Sequence, residues 1–186
     1  MPRAASRGVA LLAILALAAA GCDTSTPTAT TASVNAKAVD QGFVLETSIP
    51  RATWAAGEAI PVTTTFTWTG ADPQKTVWTF GGGPVTFELK QLDGSLFAMG
   101  AFHDAACAAK TFSRGVATPI PFQKTAAWQG DDPNASFYEQ FAQDPLLRLP
   151  AGHFQLRVGV DAQLAECAQN GPSLALDLPP IVLEVR

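Results

Sequence analysis

Cysteine and histidine are the residues with the widest chemical range in this chain of 186 residues. There are two histidines, His103 and His153, and histidine is the side chain that normally titrates near neutral pH. His153 follows a glycine at the start of a predicted strand, which favours a surface position. The sequence contains no Gly-x-Ser-x-Gly nucleophile elbow. These residues do not make a recognisable catalytic set, so we predict that the protein is not an enzyme.

His103 and Cys107 come nearest to a metal-binding pattern, with Cys167 as a distant third residue. Structural zinc generally takes four ligands from two close pairs, and a second pair is missing here. The acidic turn 131–134 offers carboxylate oxygens suited to weak calcium binding, although a solvated loop fits its composition better. The Gly81-Gly82-Gly83 run lacks the Lys-Ser/Thr of a phosphate-binding loop. We therefore predict neither a metal nor another cofactor, and His103 stays a candidate binding residue.

The N-terminal residues form a pattern for export. Arg3 and Arg7 precede an apolar run from Val9 to Ala20. This run is too short to cross a bilayer as a helix, and it fits the apolar region of a signal peptide. Its end, Ala19-Ala20-Gly21-Cys22, resembles the lipobox of bacterial lipoprotein signal peptides, apart from the alanine where leucine is preferred. The resemblance implies that residues 1–21 are removed and that Cys22 carries lipid. The alternative is an ordinary cleaved signal peptide with an incidental cysteine.

Lipidation of Cys22 would leave Cys107 and Cys167 as a pair in an exported protein. An oxidising compartment favours a disulfide between them, and two free thiols are the alternative. The bond would close a loop of about 60 residues and stabilise the fold by roughly 4 kcal/mol in the chain-entropy model. We expect the protein in the cell envelope, held to a membrane by its N-terminal lipid and facing the periplasm or the exterior.

The charge and composition of the remaining chain limit its partners and its boundaries. Removal of residues 1–21 takes two of the 12 basic residues and none of the 16 acidic ones, so the net charge moves from −4 to −6. An acidic chain without a basic stripe argues against nucleic acid as a partner. Residues 22–41 are rich in Thr, Ser, Ala and Pro, which predicts a disordered tether. The folded domain is therefore predicted to span residues 42–186.

Most of this domain shows the alternation of apolar and polar residues that is typical of β-strands. Turn signals such as Asp93-Gly94 separate the alternating segments. The predicted strands are 43–49, 60–68, 77–80, 85–90, 96–102, 118–128, 154–160 and 181–185. A single helical turn is predicted within 136–147. Seven or eight antiparallel strands in a domain of this length predict an all-β, two-sheet, immunoglobulin-like sandwich.

Three stretches carry a family resemblance. They are Ala56-Gly57-Glu58 before a strand ending in Thr67-Trp68-Thr69-Gly70, Leu92-Asp93-Gly94-Ser95 after Thr86-Phe87-Glu88-Leu89, and Leu149-Pro150-Ala151-Gly152-His153-Phe154-Gln155-Leu156. Their order and spacing are similar to the immunoglobulin-like domain named for the intracellular proteinase inhibitor BsuPI, over roughly residues 43–160. The resemblance implies a sandwich fold and, from the founding case, inhibition of a serine protease. It assigns no inhibitory residue to this chain.

Two structural expectations bear on binding. If every strand reverses direction, the connections 50–58, 81–84, 103–117 and 161–179 lie at one pole of the sandwich, away from the membrane. The connections 70–75, 91–94 and 129–147 then lie at the other pole with the tether. Trp68 is predicted in the core, whereas Trp54 is predicted to be exposed and is a candidate binding residue.

We therefore expect a non-enzymatic, lipid-anchored, immunoglobulin-like module that binds a protein at the cell envelope, with protease inhibition as one version. A structural or assembly accessory without a defined ligand is one alternative. A carbohydrate or small-ligand binder that uses an exposed tryptophan is another. Inhibition of secreted serine proteases would separate the first two hypotheses. Quenching of tryptophan fluorescence by glycans would favour the third.

Overall fold

The computed structural model describes residues 32–80, 82–99, 107–124, 131–167 and 171–186. These residues form two β-sheets that pack face to face, with one short helix beside them. This architecture confirms the predicted all-β, two-sheet sandwich. Among the described residues, no helix has the length and apolarity that crossing a membrane requires.

The first sheet has four antiparallel strands in the order β1-β2-β4-β9. They are β1 (Val34–Asp40), β2 (Phe43–Ile49), β4 (Thr63–Trp68) and β9 (Thr118–Ile120). Strands β1 and β2 are joined by Gln41 and Gly42, which both have positive φ angles, 46° and 80°. Two successive residues of that kind make the tight turn whose twist matches a two-stranded hairpin.

The second sheet contains the other eight strands. They are β3 (Thr53–Trp54), β5 (Gln74–Phe80), β6 (Val85–Gln91), β7 (Phe97–Met99), β8 (Cys107–Ser113), β10 (Gly152–Gln163), β11 (Ser173–Asp177) and β12 (Ile181–Val185). The long strand β10 is the central strand of this sheet. One edge of β10 pairs with β12 and then β11, and the other edge pairs with β6 and then β5.

The core lies between the two sheets and is rich in aromatic rings. Phe43 stacks on Phe66 with a centroid separation of 4.9 Å, and Phe112 of β8 meets Phe66 edge-on at 5.0 Å. All three rings are buried. Because Phe43 and Phe66 belong to the first sheet and Phe112 to the second, these contacts hold the two sheets together.

The helix α1 spans Ala135–Gln143 and covers the predicted helical turn. Phe141, on its inner face, is buried and joins the hydrophobic core. Tyr138 is also buried, and its hydroxyl accepts a hydrogen bond of 3.2 Å from the backbone N–H of Phe97. The helix therefore packs over the β6–β7 side of the sandwich.

The described residues contain twelve strands rather than seven or eight. Strand β1 lies inside the segment 22–41 that we predicted as a disordered tether, so this part of the prediction is wrong. Its alternating residues Val34, Ala36 and Ala38 pack onto the core, but two of them are too small to give a strong apolar signal. Strands β8 and β11 lie in segments that we predicted as long loops, 103–117 and 161–179.

The predicted division of the connections between two poles is also wrong. Strands β5 and β6 both run antiparallel to β10, so the chain continues through 81–84 in one direction instead of reversing. The segment 178–180 likewise connects β11 and β12, which pair with one edge of β10. The backbone N–H groups of Gly57 and Ile60 donate to Leu149 and Leu147, which places 50–58 beside the connection 129–147. Strand β3 also pairs in parallel with β12, so the sandwich is not wholly antiparallel.

Candidate interaction surface

Cys107 and Cys167 form a disulfide, as the sequence predicts, with their Cα atoms 5.9 Å apart. Cys107 is the first residue of β8, and Cys167 follows the end of β10. Strand β5 lies between β10 and β8 in the sheet. The bond therefore links the start of the terminal strand β8 to the segment after β10, across the intervening strand β5.

Trp54 is buried, with only 5% of its surface exposed, so its prediction as an exposed residue is wrong. Its indole N–H donates to the carbonyl oxygen of Arg51 at 2.9 Å, and the Arg51 guanidinium lies 4.1 Å above the ring. Glu58 pairs with the same guanidinium and accepts a 3.0 Å hydrogen bond from the backbone of Ala55. These contacts leave no open ring face on Trp54, which also lies in the strand that pairs with β12. Trp68, in contrast, is buried as predicted.

Of the remaining predicted residues, Cys22 and His103 lie outside the described part of the chain, and His153 lies at the start of β10. His153 is exposed, as predicted, and its Nδ1 lies 2.9 Å from Oδ2 of Asp93, whose carboxylate also accepts from the His153 backbone N–H. The side-chain hydrogen bond from His153 is the largest cause that lowers the pKa of Asp93 below its ordinary value of 3.8. This pair attaches the Asp93-Gly94 turn to the start of β10.

The acidic turn 131–134 serves to begin α1. The carboxylate of Asp132 accepts a 2.7 Å hydrogen bond from the Asn134 backbone, and the Asn134 side chain donates to the hydroxyl of Ser95 at 3.0 Å. Over the described part of the chain, no group of three or more His, Cys, Asp or Glu side chains is placed to hold a metal ion. The sequence hypothesis of weak calcium binding therefore gains no geometric support.

A different group of residues forms an open surface on the second sheet. In β5, Val77 and Thr79 are buried, whereas Trp78 is half-buried and Phe80 is 53% exposed. Since side chains alternate along a strand, Thr76, Trp78 and Phe80 point outward together. Exposed aromatic residues two positions apart on one strand make a contiguous apolar patch.

Strand β8 extends this patch. Residues opposite each other in an antiparallel pair have side chains on the same face. Trp78 lies opposite Ala109, and Phe80 lies opposite Cys107. Thr76 lies opposite Thr111, and their hydroxyls are 2.8 Å apart. We call this surface the β5–β8 face and define it by Thr76, Trp78, Phe80, Cys107, Ala109 and Thr111.

The β5–β8 face ends at an open sheet edge. Strand β8 is the terminal strand of its sheet and pairs only with β5 among the described residues. Alternate backbone N–H and carbonyl groups of an edge strand point away from its neighbour, where a further strand can pair with them. Lys110 is exposed on this strand, which opposes edge-to-edge pairing of two identical copies by charge repulsion.

The sequence gives only an incomplete signal for this surface. The run Val77-Trp78-Thr79-Phe80 shows large side chains on both faces of one strand, so periodicity alone does not show which face is outward. Strand β8 reads Cys-Ala-Ala-Lys-Thr-Phe-Ser, which is weakly apolar and resembles a loop. The pairing between β5 and β8 is what identifies the outward face.

The protein is thus a two-sheet β-sandwich with an aromatic face beside an open, disulfide-linked edge. No family model matches its sequence, and no curated protein or solved structure is significantly similar to it.

Proposed function

We propose that this chain is an exported, lipid-anchored protein of the cell envelope whose immunoglobulin-like sandwich binds a protein partner through the β5–β8 face. The observation that carries the proposal is the exposed ring of Phe80 opposite Cys107, at a sheet edge with no further strand among the described residues. Aromatic side chains are enriched at the centres of protein interfaces, where they supply much of the binding energy.

The rigidity of the surface supports a binding role. Strand β8 is held by pairing with β5, by the Cys107–Cys167 bond and by Phe112, which is buried in the core. A partner that adds an extended segment to β8 would gain backbone hydrogen bonds without ordering the strand first. Protease inhibition is one version of this proposal, supported by the resemblance to the BsuPI-type domain.

A photo-cross-linking experiment tests the surface. A benzoylphenylalanine residue is placed at position 80 or, as a matched control, at Val182, a similarly exposed apolar residue on β12. In the native envelope, we expect position 80 to cross-link to one protein and position 182 not to. Phe80→Ser should also abolish purification of the cross-linked protein with the chain, whereas Val182→Ser should not. Equal cross-linking at both positions would refute the surface assignment.

The lipid anchor and the inhibitor version need separate tests. Intact-mass measurement of the envelope protein should show a chain that begins at Cys22 and carries acyl groups. An unprocessed chain would refute export by this route. The whole chain, purified in mild detergent, should then be assayed against secreted serine proteases. Inhibition that Phe80→Ser abolishes would identify the partner as a protease.

Carbohydrate binding is the second candidate function, now supported by Trp78 rather than Trp54. The half-buried indole of Trp78 and the exposed ring of Phe80 lie on one sheet face, and sugars stack on open aromatic rings. Glycan-dependent quenching of fluorescence that Trp78→Ala removes would favour this candidate. A structural accessory without a defined ligand remains the alternative if neither proteins nor glycans bind the face.

A further inference from the structure

A concave region distinct from the β5–β8 face lies between α1 and the segment that follows it. The cavity has a volume of about 300 Å³. Its lining includes two aromatic residues of α1, Phe137 and Phe141, and three residues after the helix, Asp144, Arg148 and Leu149. Lys124 completes the group from the segment that follows β9. Small-molecule sites are usually concave, mostly apolar and furnished with a few converging polar groups.

The floor of the cavity is apolar. Phe137 and Phe141 lie nearly parallel, with a centroid separation of 5.4 Å and an interplanar angle of 28°. Phe141 and Leu149 are buried and belong to the hydrophobic core. The floor is therefore supported by the sandwich, and the partly buried ring of Phe137 is its surface for contact with the apolar body of a ligand.

Two cations line the cavity with one carboxylate. The ammonium of Lys124 lies 4.3 Å above the ring of Phe141 and donates to the carbonyl oxygen of Leu146 at 2.6 Å. The Arg148 guanidinium donates through Nη1 to the carbonyl of Gly57 at 2.7 Å, and its Nε lies 3.3 Å from Oδ2 of Asp144. In the described part of the chain, Nη2 of Arg148 has no hydrogen-bond partner. The lining therefore has one more positive than negative charge.

The electrostatics of Lys124 are consistent with a site for an anion. Burial lowers the pKa of Lys124, and the charge of Arg148 lowers it further, while Asp144 acts in the opposite direction. Asp144 is already engaged, because its other carboxylate oxygen accepts from the Leu146 backbone at 2.8 Å. An additional anion between the two cations would offset both the burial and the repulsion.

We propose that this cavity binds a small monocarboxylate with an apolar body, such as an aromatic acid. The carboxylate pairs with Lys124 and with the Nη2 side of Arg148, and the apolar body lies against the partly buried ring of Phe137. Guanidinium groups match the geometry of carboxylates, and charge-assisted hydrogen bonds are stronger than neutral ones. The proposal does not depend on the function of the β5–β8 face.

Equilibrium dialysis with a charged probe and its neutral counterpart tests the proposal. The whole chain in non-ionic detergent is dialysed against 2-naphthoate or 2-naphthamide, and binding to empty micelles is subtracted. We expect naphthoate to bind about tenfold more tightly than naphthamide, because the amide loses the charge-assisted pair. Lys124→Gln and Arg148→Gln should each weaken naphthoate binding by a similar factor. Lys90→Gln, a change at an exposed lysine on β6, should have no effect.

A chemical footprint gives a second measurement that needs no variant. Naphthoate should slow acetylation of Lys124 and leave acetylation of Lys90 unchanged, as read by peptide mass spectrometry. Equal binding of naphthoate and naphthamide, or no detectable binding of either, would overturn the proposal. Unchanged acetylation of Lys124 at saturating naphthoate would overturn it as well.

Discussion

Phe80 of β5 lies directly opposite Cys107 of β8, so an exposed aromatic ring and a disulfide share one face of the second sheet. Large exposed rings are uncommon on protein surfaces unless they have a partner, since their burial is favourable. The disulfide holds the edge strand beside the ring even when no partner is present. This combination distinguishes the β5–β8 face from single exposed apolar residues elsewhere on the sandwich, such as Val182.

Removal of the disulfide should destabilise the fold. The bond closes a segment with a sequence separation of 60 residues. The double variant Cys107→Ser, Cys167→Ser should therefore lose up to about 4 kcal/mol of unfolding free energy, because its unfolded chain is less restricted. Urea unfolding followed by circular dichroism measures this loss. Reductant should destabilise the wild-type protein and leave the double variant unchanged, and an equal effect on both would contradict the assignment.

Two phenylalanine substitutions should differ sharply in their effect on stability. Phe66 is fully buried between Phe43 and Phe112, so Phe66→Ala leaves a cavity and should cost about 3–5 kcal/mol of unfolding free energy. Phe80→Ala removes an exposed ring and should change stability by no more than about 0.5 kcal/mol. Denaturant midpoints at constant slope measure both values. A large loss of stability from Phe80→Ala would show that this ring has a structural role instead.

Gly70 should not tolerate a side chain. A Cβ atom at this position would lie 2.0 Å from Cη2 of Trp68, well inside van der Waals contact. The Trp68 indole is also held by a 2.8 Å hydrogen bond from its N–H to the carbonyl of Asp72. Gly70→Ala should therefore cost about 1–3 kcal/mol through overpacking. Ala71→Ser, at the exposed neighbouring residue, is the matched control and should leave the thermal unfolding midpoint unchanged.

The Asp93–His153 pair should give a small acid-dependent contribution to stability. The pKa of Asp93 is lowered in the folded state, mainly by the side-chain hydrogen bond from His153. A lowered carboxyl pKa stabilises the fold above its ordinary value of 3.8, and the contribution is lost as the pH falls through the folded-state pKa. In His153→Ala, the NMR titration midpoint of the Asp93 carboxyl should rise toward 3.8. An unchanged midpoint would show that His153 is not the cause.

The local sequence pattern was sufficient to predict a strand wherever apolar and polar residues alternate strongly. Strands β2, β6 and β12 lie where the sequence predicts them, because each has a strong periodic signal of its own, and α1 is longer than the single helical turn predicted there. Strands β1 and β8 were not predicted, because alanine occupies positions where a predicted strand normally shows large apolar residues. Such strands depend on a neighbour: β1 pairs with β2 over seven residues, and β8 pairs with β5 over seven.

The candidate site shows the same division between what local sequence predicts and what strand pairing decides. The sequence predicted the Cys107–Cys167 disulfide from the number of cysteines and the export pattern, without needing the path of the chain. It did not predict the exposure of Phe80 or the burial of Trp54. Burial depends on which segments lie alongside: Arg51 covers the Trp54 ring, and β3 pairs with β12 from the other end of the chain.

By itself, the amino-acid sequence determined the class of fold, the pairing of two cysteines and the expectation of a lipid on Cys22, because composition and short-range periodicity carry that information. Only the tertiary structure decided the direction of the chain through 81–84, the position of β8 at the edge and the two surfaces proposed for binding. The physical reason is that strand pairing joins residues far apart in the chain. The sequence of a short segment does not show which strand its backbone will pair with.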